Sequence, residues 1–155
     1  MKSSKPAWSD LIIEGLQPEQ TLAWLSPWFW LVSGSVAPVF LSKFGDWFLR
    51  RPDGSTEMLD VVQGVLMPVA KTPEQFKALV NTKEWQDRNL LVVLVGELLA
   101  EGKIPGPGQC YAVSPHPRQG GRLEREYITV SDMLAWQTSC ARIAREMPAS
   151  EGSSS

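Results

Sequence analysis

Hydrophobic residues change their spacing along this chain, from a helical period near the N-terminus to strand-like alternation between residues 39 and 70. Turn sequences at Gly45-Asp46, Pro52-Asp53-Gly54-Ser55 and Gln63-Gly64 divide that region into four apolar stretches. Proline at the second position fixes φ, and glycine accepts positive φ, so the middle sequence is typical of a hairpin turn. We therefore predict a three- or four-stranded antiparallel meander over residues 39–70.

Two short helices are predicted before the meander. Asp10 or its neighbour Ser9 caps the first, over residues 11–13, and Gly15 ends it. Proline suits the first turn of a helix, so Pro18 begins the second. The apolar face of the second helix consists of Leu22, Leu25 and Trp28.

In the second half of the chain we predict two helices, then two strands and then a last helix. Thr72 and Gln75 form a capping box around Pro73, and Thr82 caps a long helix over residues 83–101 that Gly102 ends. Residues 90–95 are apolar on every side, so this helix should be deeply buried. Strands over residues 109–114 and 126–130 flank a surface loop, and Ser131 or Asp132 caps a last helix over residues 133–147. Its apolar positions are Leu134, Trp136, Cys140, Ile143 and Ala144.

Strands that cluster before helices, rather than alternating strictly with them, indicate an α+β fold. We predict an antiparallel β-meander sheet packed against helices, with a C-terminal helix, in one compact domain. A tryptophan-rich helical segment (residues 1–35) precedes the α+β part (residues 36–148), and a small polar tail (residues 149–155) is expected to be disordered.

Composition narrows the class of function. The chain has 155 residues, a net charge of −2 and seven tryptophans. This charge gives no global attraction to nucleic acid. The N-terminal residues lack the apolar run of a signal peptide, and the longest apolar run, residues 90–95, is far shorter than the roughly 20 residues of a membrane span. We expect a cytoplasmic protein.

Candidate reactive groups are few. Cys110 and Cys140 are the only cysteines, and His116 is the only histidine. One disulfide is geometrically possible, but two buried thiols suit a reducing compartment better. His116 lies between two prolines and is interpreted as an exposed loop residue. The sequence predicts no catalytic group, no metal site and no cofactor, and therefore no enzyme.

Two sets of residues could instead contact a partner. The first is acidic and gathers around the predicted hairpins: Asp46, Asp53, Glu57 and Asp60. Asp is also a favoured turn residue, so local turn roles explain the same positions. The second set is the aromatic cluster around Trp28 and Trp30, since aromatic residues dominate interface energetics. The alternative is that this cluster packs into the core.

Several landmarks occur together in one order. They are Phe44-Gly45-Asp46, Asp53-Gly54-Ser55, Leu59-Asp60, Gly64, Thr72-Pro73-Glu74-Gln75-Phe76, Gly106-Pro107-Gly108-Gln109-Cys110-Tyr111, Gly120-Gly121 and Val130-Ser131-Asp132. In these residues the chain resembles the bacterial family of the C-terminal domain of a type VI secretion immunity protein, which neutralises a DNase effector. The resemblance covers roughly residues 39–147.

The resemblance implies a non-catalytic binding protein whose partner is a cognate toxin. A nuclease toxin is basic where it grips phosphate, so an inhibitor would present carboxylates to it. The alternative hypothesis is a regulatory or scaffold interaction domain without a toxin partner. Neither hypothesis includes direct binding of nucleic acid or of a membrane.

Overall fold

The structure is a computed structural model that describes residues 5–147. The predicted tail at residues 149–155 lies outside the described residues. The helices are α1 (Trp8–Leu11), α2 (Pro18–Leu25), α3 (Pro73–Val80), α4 (Lys83–Asn89), α5 (Val92–Ala100) and α6 (Met133–Glu146). The strands are β1 (Ile12–Ile13), β2 (Ala37–Ser42), β3 (Trp47–Arg50), β4 (Thr56–Asp60), β5 (Val65–Ala70), β6 (Gln109–Val113) and β7 (Ile128–Asp132).

The predicted α+β fold is confirmed. Strands β2 to β5 form the predicted meander, and β1 pairs with β2 to give a five-stranded antiparallel sheet in the order β1-β2-β3-β4-β5. Strands β6 and β7 form a separate two-stranded antiparallel sheet. The hairpin turn at residues 51–55 closes with a hydrogen bond from the Arg51 amide to the Ser55 carbonyl.

Helices cover both faces of the large sheet. Trp47, Phe48 and Leu49 are consecutive in β3 and all fully buried, which requires cover on both sides because side chains alternate between faces. Phe48 packs on Trp85 of α4, with ring centroids 5.3 Å apart. On the other face the Trp47 indole donates to Gln137 of α6.

The β2–β3 turn joins the large sheet to the rest of the molecule. Three consecutive carbonyls of this turn accept hydrogen bonds from distant segments: Lys43 from the Tyr111 amide (2.8 Å), Phe44 from Trp136 Nε1 (2.8 Å) and Gly45 from Gln137 Nε2 (2.9 Å). Gly45 has φ of +91°, and an added Cβ would lie 2.9 Å from Gln137 Nε2. Glycine is therefore required for both conformation and space.

Helix starts were predicted well where a side chain caps them. The Thr72 and Thr82 hydroxyls accept from the Gln75 and Trp85 amides, and the Asp132 carboxylate caps α6 by accepting from Ala135. Proline at position 73 occupies the first turn of α3, as expected.

The long helix predicted over residues 83–101 was wrong. The helix is interrupted at Leu91, which adopts a left-handed conformation with φ of +56°, and α5 begins at Val92. The break changes which positions are buried: Leu90, Val95 and Leu98 are enclosed, while Val93 is 69% exposed. The expectation that residues 90–95 would be buried on every side was therefore wrong as well.

The N-terminal segment also differs from the prediction. The first helix covers Trp8–Leu11, and Ile12 and Ile13 instead form β1. Asp10 acts from inside the helix, accepting a hydrogen bond from the Ala7 amide. In α2, Trp24 and Leu25 are buried but Leu22 is 59% exposed.

Candidate functional site

The structure separates the four hairpin carboxylates into two pairs. Asp46 precedes β3 and Asp60 ends β4, so both lie at one end of the β3–β4 hairpin, whereas Asp53 and Glu57 lie at the other. The four residue pairs between these ends span about 10 Å of strand. The acidic residues therefore do not form one continuous patch.

Asp46 and Asp60 both accept hydrogen bonds from backbone amides of the turn that follows β4. Asp46 accepts from the Val61 amide (3.0 Å) and Asp60 from the Gln63 amide (3.0 Å). Burial raises the pKa of the Asp46 carboxyl well above its usual range, and the charge of Asp60 raises it further. Burial also raises the pKa of Asp60. These groups hold turns and carry a desolvation cost, so they are poor candidates for a freely offered charge.

The other two carboxylates differ in how available they are. Glu57 lies 2.7 Å from the Arg51 guanidinium, which also donates to the Ser33 carbonyl. Asp53 is exposed, and its carboxylate accepts from the amide (2.9 Å) and hydroxyl (2.6 Å) of Ser55, which lower its pKa. Asp53 is therefore the most exposed of the four carboxylates, and its ionised form is favoured.

The aromatic cluster divides into a core residue and a surface. Trp28 is fully buried, as the packing interpretation predicted, and its indole donates to Gln137 Oε1 at 2.7 Å. It is not available to a partner. Phe29 and Trp30 are 49% and 42% exposed.

Trp30 is held in place from two sides. Its ring stacks on Trp28, with centroids 6.1 Å apart, and the Arg145 guanidinium lies 5.5 Å from the ring centroid. A groove of about 510 Å³, lined by residues of α6 together with Pro27, runs beside it and also includes Arg145. We call the surface formed by Phe29, Trp30 and Arg145 the aromatic patch.

The expectation of an exposed histidine was wrong. His116 is only 5% exposed, and its ring lies 5.9 Å from that of Trp136. The loop folds back tightly on itself, since a Cβ on Gly121 would lie 1.8 Å from the Pro115 carbonyl oxygen. Burial lowers the pKa of His116, and the charge of Arg118 lowers it further.

The two cysteines are buried and free, as expected. Burial raises the pKa of Cys110 to about 12 and raises that of Cys140 as well. Because the thiolate is the nucleophile, both thiols are chemically quiet at neutral pH. Among residues 5–147, no three His, Cys, Asp or Glu side chains are grouped closely enough to hold a metal ion. None of the helices in the same range is long and apolar enough to cross a membrane.

Comparison with known proteins supports the fold alone. No protein-family model and no curated protein matches the chain. Among solved structures, the crystal structure of Atu4351 from Agrobacterium tumefaciens is similar, with a TM-score of 0.58 and 18% sequence identity. The match covers 81% of this chain and 64% of Atu4351. The chain thus spans about two thirds of that protein's length, and this level of identity carries no statement about activity.

Sequence reasoning missed two residues of these sites. Arg145 was not among the predicted contact residues, although its guanidinium lies over the Trp30 ring. Gln137 is fully buried and was not recognised as part of the core. Its position between Trp136 and Cys140 on α6 is the only signal in the sequence that could have indicated this burial.

Proposed function

We propose that this protein acts without catalysis, as a cytoplasmic immunity protein that binds and neutralises a bacterial toxin. The observation that carries the proposal is the aromatic patch. Two large aromatic side chains, Phe29 and Trp30, remain half exposed although Trp28 beside them is completely enclosed. Tryptophan and arginine are enriched among the residues that dominate interface energetics.

The patch is also preorganised for binding. Trp30 already stacks on Trp28, and the Arg145 guanidinium already lies 5.5 Å from the centroid of the Trp30 ring. A side chain that is held before binding loses less conformational entropy when a partner covers it. Removing Arg145 and Trp30 from water together would also strengthen their cation–π interaction.

The sequence resemblance supplies the identity of the partner class. Its landmark glycines serve the scaffold: Gly45 lies against Gln137, and Gly121 lies against Pro115. Landmark residues that fix the backbone conformation are expected in a protein whose function is to present a rigid binding surface. The toxin is proposed to be a type VI secretion nuclease, with Asp53 as the exposed carboxylate that meets its basic surface.

Growth rescue tests the proposal. The proposal predicts a toxin gene beside this one, and that toxin is expressed in a host that lacks both genes, with and without this protein. We expect the wild-type protein to restore growth and Trp30→Ala to fail. The Trp30→Ala change should weaken toxin binding by at least about 2 kcal/mol, roughly 30-fold in Kd.

Matched variants separate the two surfaces. Asp53→Asn removes the charge but keeps an oxygen that accepts from Ser55. An increase in Kd that is measurable but smaller than that of Trp30→Ala would show that the charge of Asp53 contributes to toxin binding. Leu123→Ala removes a hydrophobic side chain of comparable exposure (43%) outside the patch and should leave rescue unchanged. Full rescue by a Phe29→Ala, Trp30→Ala double variant that folds normally would contradict the proposal that the aromatic patch binds the toxin. Failure of the wild-type protein to rescue would favour a scaffold domain without a toxin partner.

A further inference from the structure

A second surface feature lies between the β6–β7 sheet and α6, and it shares Arg142 with the groove beside the aromatic patch. It is a cleft of about 290 Å³ whose apolar lining includes Ala112, Trp136 and Ile143. Its polar lining, apart from His116, consists of Ser114, Gln119, Thr129, Ser131, Ser139 and Arg142. Among the described residues that line the cleft, none carries a carboxylate. An acid-free lining in a chain of net charge −2 favours a negatively charged ligand.

His116 lines this cleft, and one of its ring nitrogens has no hydrogen-bond partner among the described residues. Its Nδ1 accepts a hydrogen bond from the Arg118 amide at 3.0 Å, so in the neutral imidazole the proton is on Nε2. Nε2 is buried and has no hydrogen-bond partner among the described residues. A buried donor without an acceptor is costly, and such a group in a folded protein requires an explanation.

The loop that carries His116 is rigidly held. The His116 carbonyl accepts from the amides of Gln119 (2.7 Å) and Gly121 (3.2 Å). The Arg118 guanidinium anchors the same loop to the Gln63 carbonyl, at 2.5 Å, and to the Met147 carbonyl. The imidazole is therefore positioned before any ligand arrives.

Arg142 supplies the charge. Its side chain is 57% exposed, and its guanidinium lies 3.6 Å from Glu146, longer than a good hydrogen bond. Exposed pairs of this kind contribute little to stability, so the guanidinium can exchange Glu146 for a ligand. It provides planar donors that suit a carboxylate or phosphate group.

We propose that this cleft binds a small organic anion whose carboxylate or phosphate group accepts from His116 Nε2–H and pairs with Arg142. The volume lies at the lower end of the range for ligand pockets, so the ligand is a small molecule. Arg142 lines both this cleft and the groove beside the aromatic patch, whereas His116 lines the cleft and not the groove. Substitution of His116 therefore tests the cleft separately from toxin binding.

NMR titration of the full chain tests the site. His116 is the only histidine, so a long-range ¹H–¹⁵N spectrum contains a single imidazole. We expect this spectrum to show the neutral Nε2–H form. Adding succinate in one series and inorganic phosphate in another should shift Nε2, with a Kd of about 1 mM or tighter for at least one probe. The two series distinguish a carboxylate from a phosphate preference.

Three variants define the contacts. His116→Asn keeps an oxygen that can accept from the Arg118 amide but lacks the Nε2 donor. Arg142→Gln removes the positive charge. Titrations followed by backbone amide shifts should show that each variant binds the anion about tenfold more weakly or worse. Arg88→Gln removes the same charge from an exposed position on α4, outside the cleft lining, and should bind as the wild type does. Three results would overturn the proposal: no shift with either probe, an Nδ1–H imidazole, or unchanged affinity in both His116→Asn and Arg142→Gln, which would indicate an adventitious anion only.

Discussion

At the scale of single residues, Gln137 joins α6 to three other parts of the core by hydrogen bonds. Its Oε1 accepts from Trp28 Nε1 (2.7 Å) and Trp47 Nε1 (3.1 Å), and its Nε2 donates to the Gly45 carbonyl (2.9 Å). The second amide proton lies near Met133 Sδ. The indoles can only donate, so they fix which atom of the amide is oxygen. The amide is thus fully satisfied although it is completely buried.

Replacing Gln137 by leucine should destabilise the protein by about 3 kcal/mol or more, because it leaves two indole N–H groups and one carbonyl buried without partners. Urea unfolding followed by circular dichroism measures this loss. Thr138→Ala, on the exposed side of the same turn, is the control and should change the free energy of unfolding by less than about 0.5 kcal/mol. A loss below 1 kcal/mol for Gln137→Leu would show that water replaces the amide.

Residue patterns predicted this core only in part. The apolar positions assigned to α6 included Leu134, which is 41% exposed, and omitted Gln137. A hydropathy pattern cannot indicate a buried amide, because the amide is stabilised by donors that lie 90 and 109 residues away in the chain. His116 was misplaced for a related reason: its burial depends on Trp136, which is distant in sequence.

At the scale of elements, prediction succeeded where the chain carries a local signal. The hairpin turns with proline or glycine and the helix starts capped by Thr72, Thr82 and Asp132 were placed correctly, whereas the helix assigned a cap at Ser9 or Asp10 was not. The break at Leu91 has no such signal, because neither glycine nor proline occurs between Leu90 and Val95. Packing selects the break there, since it lets Leu90, Val95 and Leu98 all reach the interior.

The loop over residues 114–121 provides an element-scale prediction. A Cβ at Gly121 would lie 1.8 Å from the Pro115 carbonyl oxygen, so the backbone must move in Gly121→Ala. We expect a loss of more than about 2 kcal/mol, in the range of severe steric changes. Thermal unfolding measures it.

Gly120→Ala is the matched comparison. Gly120 has φ of +110° and nothing within 4 Å of an added Cβ, so only backbone strain of about 1–2 kcal/mol is expected. Equal losses for the two alanine variants would mean that the close approach of Gly121 to Pro115 does not limit the loop.

At the scale of the whole molecule, the sequence predicted the meander and the C-terminal helix, but it did not predict that β6 and β7 form a separate second sheet. Residues 109–114 and 126–130 were predicted as strands, and the structure pairs 109–113 with 128–132. The Tyr111 amide of this second sheet donates to the Lys43 carbonyl of the β2–β3 turn, a contact between residues 68 apart that no local pattern encodes. The candidate surfaces were predictable only as residue types, since exposure separates Trp30 from Trp28.

The dependence of stability on pH is a property of the whole molecule that Asp46 should influence. Its folded-state pKa is raised, chiefly by burial, so its favourable contribution is fully present below the unfolded pKa and is lost as pH rises through the folded value. Asp46→Asn keeps an acceptor for the Val61 amide but cannot ionise. We expect this variant to gain stability relative to the wild type as pH rises from 4 toward neutrality, measured by urea unfolding at several pH values.

Asp53→Asn should show the opposite sign. The pKa of Asp53 is lowered by its bonds to Ser55, so its contribution is present above the unfolded pKa and is lost as pH falls. The Asp53→Asn variant should therefore lose stability relative to the wild type as pH rises from 3 toward neutrality. A parallel pH profile for Asp46→Asn and the wild type would contradict the assignment of a raised pKa to Asp46.

The three carbonyls of the β2–β3 turn also bear on how the protein is made. Their donors at Tyr111, Trp136 and Gln137 follow them by 68, 92 and 92 residues, counted from Lys43, Phe44 and Gly45. A nascent chain on the ribosome would expose one apolar face of its meander until α6 had emerged from the exit tunnel. At typical elongation rates of about 5–20 residues per second, that interval lasts several seconds. Its biosynthesis would consequently rely on chaperones that shield this face during translation.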